Sequence, residues 1–243
     1  MTVYLVGAGP GDPKLLTLRG AELLAVADVV VYDRLSVAAL LDLAPTTAER
    51  ISVGKAPGQA TMGQDEINAL LVERGRAGDT VVRLKGGDPM VFARGGEEAA
   101  ALATAGVAFE VVPGITSAIG VPTYAGIPVT LRNQALSLTI VTGHQDPNDT
   151  TEVNWEAIAQ VGGTIVVLMG AARIAGIAAR LVAGGLSPHT PAAAVHWGTR
   201  PEQTVLRSTL GAIGGHDVAA PSTIVIGAVA AHDLSWFTPD LAQ

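Results

Sequence analysis

The chain has 243 residues, a length that suits one large domain or two smaller halves. Hydrophobic residues make up 49% and charged residues 15%, which excludes a disordered tail protein and leaves ample apolar surface for a core. A formal net charge of −7 argues against nucleic acid as a partner, because a phosphate backbone rewards fields of Lys and Arg. The absence of cysteine closes off disulfides, zinc-thiolate and iron–sulfur sites and a thiol nucleophile. The start, MTVYLVGAGPGDP, has no basic leader, and no apolar run reaches the length of about 18 residues that spans a bilayer. A cytoplasmic protein with no membrane partner is expected.

In chain order, short apolar runs at 3–6, 29–32, 51–53, 81–84 and 109–112 alternate with helix-length stretches at about 15–27, 36–43, 65–76 and 95–105. That alternation predicts a mainly parallel sheet flanked by helices. In the third helix, Ile67, Leu70, Leu71 and Arg74 fall at three-to-four spacing behind an acidic first turn. Glycines and prolines crowd residues 113–128. A second set of apolar runs follows at 138–142, 165–169, 192–197, 204–207 and 223–226, with helices at 155–160 and 173–184. The closer strand spacing predicts antiparallel pairs in this half, and hence a mixed sheet. The expected organisation is an N-terminal α/β domain over 1–113, a linker over 114–134 and a C-terminal α/β domain over 135–243, with a cleft between the two.

Three turns stand where open α/β sheets place ligands, at the carboxyl ends of predicted strands. The first is Gly7-Ala8-Gly9-Pro10-Gly11-Asp12, with Asp33 ending the next strand. A dinucleotide fingerprint needs a third glycine where Asp12 stands, and Pro10 and Pro13 remove N–H groups where a pyrophosphate would seek them. NAD, simple tight-turn packing and a nucleotide ligand without phosphate all stay open on these residues. The second turn is Arg83-Leu84-Lys85-Gly86-Gly87-Asp88-Pro89, whose paired glycines allow close backbone approach. The third, Pro113-Gly114-Ile115-Thr116-Ser117, offers hydroxyls and free N–H groups at a helix start. Only three lysines occur, Lys14, Lys55 and Lys85, each beside a glycine-bearing or proline-bearing turn. The five histidines show no ligand spacing, so no metal site is expected.

Several motifs together carry a resemblance. GAGPGDP at 7–13, ADVVVYDRL at 27–35, VGK at 53–55, VVRLKGGDP at 81–89, RGGEE at 94–98 and VVPGITSAIGVPTYAGIPVT at 111–130 resemble the tetrapyrrole methylases. VTGH at 141–144, NWEAIA at 154–159, MG at 169–170 and IVIGAV at 224–229 extend the likeness to about residue 237. RLKGGDP followed by RGGEE is similar to the uroporphyrinogen-III C-methyltransferase branch rather than to later precorrin methylases.

The resemblance implies a two-domain α/β homodimer that holds S-adenosylmethionine in the interdomain cleft and methylates carbons 2 and 7 of uroporphyrinogen III, through precorrin-1, to precorrin-2. That donor carries no phosphate, so Pro10 and Asp12 no longer count against the first turn. By matched motif, the implied cofactor residues are Pro10, Gly86, Gly87, Asp88, Val91, Thr116, Ser117, Met169, Gly198 and Gly227. Asp33 is the implied proton acceptor and Lys55 the implied proton donor. The substrate bears eight carboxylates, and 11 of the 15 basic residues fall in 1–134. Arg34, Arg94 and Arg132 lie in or beside motifs and are the candidates to pair with those carboxylates. Gln59 and Ala60 replace the usual basic residue and His after VGK, and Leu131 replaces the usual His before Arg132, in the loop and linker that the resemblance places over the tetrapyrrole. The sequence holds nothing that resembles the dehydrogenase and ferrochelatase module of fused siroheme synthases, so oxidation and iron insertion are expected elsewhere. Another precorrin C-methyltransferase is the nearest alternative, an NAD-dependent dehydrogenase a remote one and a non-catalytic tetrapyrrole carrier a third.

Overall fold

The structure, a computed structural model, describes residues 2–33, 38–54, 62–144, 152–234 and 236–238. The chain divides into two compact units, Met1–Thr116 and Ser117–Gln243.

Unit 1 contains β1 (Val3–Gly7), α1 (Leu18–Leu24), β2 (Val29–Tyr32), β3 (Glu49–Ser52), α2 (Gln64–Ala77), β4 (Val81–Lys85), α3 (Gly95–Thr104) and β5 (Phe109–Val112). The strands form one parallel sheet in the order β3-β2-β4-β1-β5. Strand alternation assigns its two faces. Val6, Val30, Val82, Leu84 and Val112 pack with Leu23 and Leu24 of α1 and with Leu40 and Leu41. Val3, Leu5, Val29, Val31 and Val81 pack on the other face with Ile67 and Leu71 of α2 and with Leu102 of α3. By that parity Asp33, Arg83 and Lys85 belong to the α2/α3 face.

The helix expected over 15–27 is shorter. Pro13–Leu15 is a 3-10 turn, and α1 starts only at Leu18, because the Thr17 hydroxyl accepts the Gly20 N–H at 3.1 Å and caps the helix there. The helix expected over 36–43 is a 3-10 segment, Ala38–Leu43, in its described part. The third strand starts earlier than expected, at Glu49. It is an edge strand whose polar residues face outward, so an apolar-run criterion misses its first two positions.

Unit 2 contains α4 (Ser117–Tyr124), β6 (Leu138–Thr142), α5 (Trp155–Val161), β7 (Thr164–Leu168), α6 (Ile174–Ala183), β8 (Pro191–His196), β9 (Thr204–Thr209), α7 (Leu210–Ile213) and β10 (Ser222–Ile226). Its sheet has the order β6-β7-β10-β8-β9, with β6 and β7 parallel and the other neighbours antiparallel. Ile165, Val167, Ala192, Ala194, Ile224 and Ile226 pack on one face with α5, α6 and α7. Val166, Ala193, Val195 and Val225 pack on the other with Ala118 and Val121 of α4.

Helix α4 lies within the segment 114–134. It contains Pro122 and has little amphipathic contrast. What holds it is satisfaction of the carbonyls at its C-terminal end and in the two residues that follow, by donors from outside the helix. Thr123 O accepts from Trp236 Nε1 at 3.0 Å, Tyr124 O from Gln203 Nε2 at 3.1 Å, Ala125 O from Arg207 Nη2 at 3.0 Å and Gly126 O from Leu234 N at 3.0 Å. The Trp236 and Phe237 rings close on Tyr124, with centroids 4.9 and 4.8 Å away. Among the described residues no helix is long and apolar enough to cross a membrane.

Candidate active site

In unit 1 the carboxyl ends of all five parallel strands share one edge, and three glycine-bearing turns leave it. The turns after β1 and β4 are stitched together by Gly87 N–H to Gly9 O at 2.8 Å, Gly9 N–H to Gly87 O at 3.2 Å and Ala8 N–H to Lys85 O at 2.7 Å. The turn after β5 closes on both. A Cβ at Gly7 would stand 2.5 Å from Gly114 Cα, and one at Gly114 would stand 2.3 Å from Gly87 O. Only glycine permits this approach. Asp88 fixes the arrangement, because Oδ1 accepts from Met90 N–H at 2.8 Å and Oδ2 from Gly114 N–H at 2.9 Å. Pro10, Gly86, Gly87, Asp88 and Thr116 therefore belong to one edge of one unit, with Val91 three residues on from Asp88.

The donor chemistry of this edge suits a nucleoside without phosphate. Pro10 and Pro13 contribute no N–H, and Asp12 puts a carboxylate at the mouth of the following turn, where its Oδ1 already accepts from Lys14 N at 2.8 Å. A pyrophosphate would meet a negative charge there instead of the N–H groups it needs. S-adenosylmethionine fits such an edge and NAD does not.

Asp33 directly follows β2, at the same edge. Its side chain is 38% exposed, and Oδ1 accepts from Arg83 Nη2 at 2.9 Å. Arg83 is almost fully buried and also donates from Nε to Glu98 Oε1 at 3.0 Å. The same Glu98 oxygen accepts from Lys85 Nζ at 2.8 Å. Burial pushes the Lys85 ammonium below its usual range, with the Arg83 charge beside it adding to the effect and Glu98 opposing it. Arg83, Lys85 and Glu98 are absent from the expected site residues. Their sequence signal was two cations alternating with apolar residues inside a strand, in a chain with three lysines.

Lys55 and Arg34, with Gln59 and Ala60, lie outside the described residues. Arg94 is exposed, takes a left-handed conformation with φ 60° at the start of α3, and chelates Glu97 at 2.8 and 2.7 Å. Arg132 is exposed at the tip of a turn closed by Leu131 and Ala135.

In unit 2, Ser117 opens α4. Met169 follows β7 and Gly198 lies just past β8, and the topology makes these two strands run in the same direction. Strain gathers at their carboxyl ends: Met169, Trp197 and Thr199 have φ of 55°, 48° and 70°. A Cβ at Gly198 would stand 2.3 Å from Val121 Cγ1 of α4, and the Gln203 side chain ties Thr199 N–H to Tyr124 O. Gly227 departs from expectation. It follows β10, which runs antiparallel to β7 and β8, so it sits at the opposite edge of the sheet. Its N–H donates to Pro191 O at 2.9 Å, and a Cβ on it would stand 2.8 Å from Gly163 O. With φ 136°, Gly227 is explained by a tight turn away from the edge that carries Met169 and Gly198.

Residues 2–214 match the family model Tetrapyrrole (Corrin/Porphyrin) Methylases. An S-adenosyl-L-methionine-dependent uroporphyrinogen III methyltransferase of Methanosarcina barkeri is 50% identical over 96% of this chain and 93% of its own length. A siroheme synthase of Chromobacterium violaceum is 49% identical over 97% of this chain, which spans about half, 51%, of that relative. The crystal structure of a uroporphyrin-III C-methyl transferase from Thermus thermophilus, complexed with S-adenosylhomocysteine, superposes with a TM-score of 0.82 at 41% identity, covering 94% of this chain and 98% of that one. Together with a first glycine turn poor in donors for phosphate and the half-exposed Asp33, these likenesses show that the chain belongs to the tetrapyrrole methylase family.

Proposed function

We propose that this chain transfers methyl groups from S-adenosylmethionine to carbons 2 and 7 of uroporphyrinogen III, giving precorrin-2 by way of precorrin-1. When bound, the donor supplies an electrophilic methyl group on a sulfonium. The protein's task is then to hold an electron-rich pyrrole carbon in line with that methyl and to manage a proton. We assign the donor to Pro10, Gly86, Gly87, Asp88, Val91, Thr116 and Ser117, with Met169 and Gly198, and leave out Gly227. Asp33 takes the proton that the methylated macrocycle must lose, and Lys55 donates one. Arg34, Arg94 and Arg132 pair with substrate carboxylates. The protein acts in the cytoplasm as a homodimer, and its product serves sirohaem or cobalamin formation.

The observation that carries this reading is the half-exposed Asp33 carboxylate, held by Arg83 at the same strand-end edge as the first glycine turn, where Pro10 and Pro13 withhold N–H groups from a phosphate. Incubation with labelled S-adenosylmethionine and anaerobic uroporphyrinogen III tests it. Mass spectrometry should find two added methyls on the macrocycle. No transfer to uroporphyrinogen III would turn the assignment toward a later precorrin substrate.

A further inference from the structure

Four charged side chains converge on the α2/α3 face of unit 1, and three of them are shut away from water. Arg83 and Lys85 are each 2% exposed and Glu98 is 0% exposed, whereas Asp33 alone reaches solvent. Arg83 has one end on each carboxylate, Nε on Glu98 and Nη2 on Asp33. Glu98 Oε1 collects Arg83, Lys85 and, at 3.4 Å, Gln64 Nε2 of α2. Glu98 Oε2 is buried with no hydrogen-bond partner among the described residues. As a stability device this arrangement is poor. Burying ions costs more than apolar side chains of the same volume would, and an orphaned carboxylate oxygen adds to that cost. What it gains is geometry, since a guanidinium pinned at Nε and braced by Leu84 O at 3.5 Å cannot swing, so its Nη2 points in one direction, at Asp33.

We propose that Glu98 is a positioning residue for proton acceptance: through Arg83 it sets the direction of the Asp33 carboxylate, while Lys85 Nζ holds the same Glu98 oxygen inside the fold. The proposal rests on the reading of Asp33 as the proton acceptor. Glu98 never touches substrate. Removing its charge replaces the charge-assisted bond to Arg83 Nε by a weaker one to a neutral amide oxygen, so the guanidinium is held less firmly and can turn with Asp33 at the sheet edge.

The test is a double-mutant cycle of methyl transfer with Glu98→Gln, Asp33→Asn and the combined variant, alongside melting and binding of S-adenosylhomocysteine. Glu98→Gln keeps the volume. It should bind S-adenosylhomocysteine as wild type does, leave KM for uroporphyrinogen III unchanged and lower kcat about ten- to hundredfold, the scale set by a misdirected reacting group. Because Glu98 acts through Asp33, the combined variant should be no slower than Asp33→Asn. If Glu98→Gln turns over at full rate while Asp33→Asn is slow, the positioning role is wrong and the acceptor reading stands. If the two losses multiply, Glu98 acts elsewhere and the proposal fails as well. Full turnover by Asp33→Asn removes the acceptor reading and the positioning role with it. Should Glu98→Gln fail to fold, Glu98→Gln/Lys85→Met removes one charge of each sign and is read by the same criteria.

Discussion

Asp88 illustrates how a residue carried over as a cofactor ligand has a prior task in the fold. Its two carboxylate oxygens each accept a backbone N–H, from Met90 and Gly114, so it ties the turn after β4 to the turn after β5. Asp88→Asn puts an amide N–H₂ against one of those donors. The half-buried Gly114 N–H or the exposed Met90 N–H then loses a bond to a charged acceptor, worth about 1.5–3 kcal/mol at most, so the variant should melt lower and lose affinity for S-adenosylhomocysteine in calorimetry. Unchanged melting with weakened binding would instead make Asp88 a direct ligand. At this scale the sequence was legible where a residue type is forced by backbone geometry, as at Gly7, Gly87 and Gly114. It was not legible for Glu98, whose partners Arg83 and Lys85 lie 15 and 13 positions away and meet it only because α3 folds back on β4.

Elements were legible to the degree that their own pattern holds them. Helix α2 has an acidic first turn, a capping bond from Gly63 N to Glu66 Oε2 at 2.6 Å and a left-handed Gly78 at its end, and its expected bounds lie within one residue of the observed ones. Helix α4 shows the opposite case: its start at 117 was marked by Thr116 and Ser117, but its extent rests on donors from Gln203, Arg207, Leu234 and Trp236, which no local pattern announces. Helix α6 offers two predictions. Gly176 is exposed, and a Cβ there meets nothing within 4 Å. Gly176→Ala should therefore gain about 0.5–1 kcal/mol of helix stability and raise Tm by roughly 1–4 °C. Arg180 of α6 grips Glu156 of α5 at 2.9 Å through both Nε and Nη2. The hydrogen bonds from Arg180, with a backbone hydrogen bond within Glu156 itself, push the Glu156 carboxyl down to about 2. The folded pKa lies below the unfolded one, about 4.3, so the stabilisation is present above that value and disappears as pH falls through about 2. Glu156→Gln should melt below wild type at pH 7, and the gap should close as thermal melts are repeated down to about pH 2.

For the whole molecule, fold class was the most legible feature, because a parallel α/β sheet and a mixed sheet write different strand spacings into the chain. Strand direction was the least legible. The apolar run before Gly227 reads like the run before Gly7, yet β10 runs antiparallel to its neighbours and carries its glycine to the far edge, a reversal that an apolar pattern does not encode. A homodimer is predicted from the family likeness: sedimentation at low micromolar concentration should give about twice the 24.6 kDa chain mass, and a monomer throughout would overturn it. The last prediction separates the ligand classes left open by the first glycine turn. A ligand that binds only the folded state stabilises it by mass action, about 2.7 kcal/mol at a hundredfold excess over Kd. For domains of this size 1 kcal/mol moves Tm by about 2–4 °C, so saturating S-adenosylhomocysteine should raise Tm by roughly 5–10 °C. NAD at the same concentration should leave it unmoved, since Pro10 and Pro13 withhold the N–H groups, and Asp12 sets a negative charge, where its pyrophosphate would have to sit. A shift with NAD and none with S-adenosylhomocysteine would return the first turn to the dinucleotide reading and remove the donor residues assigned around it.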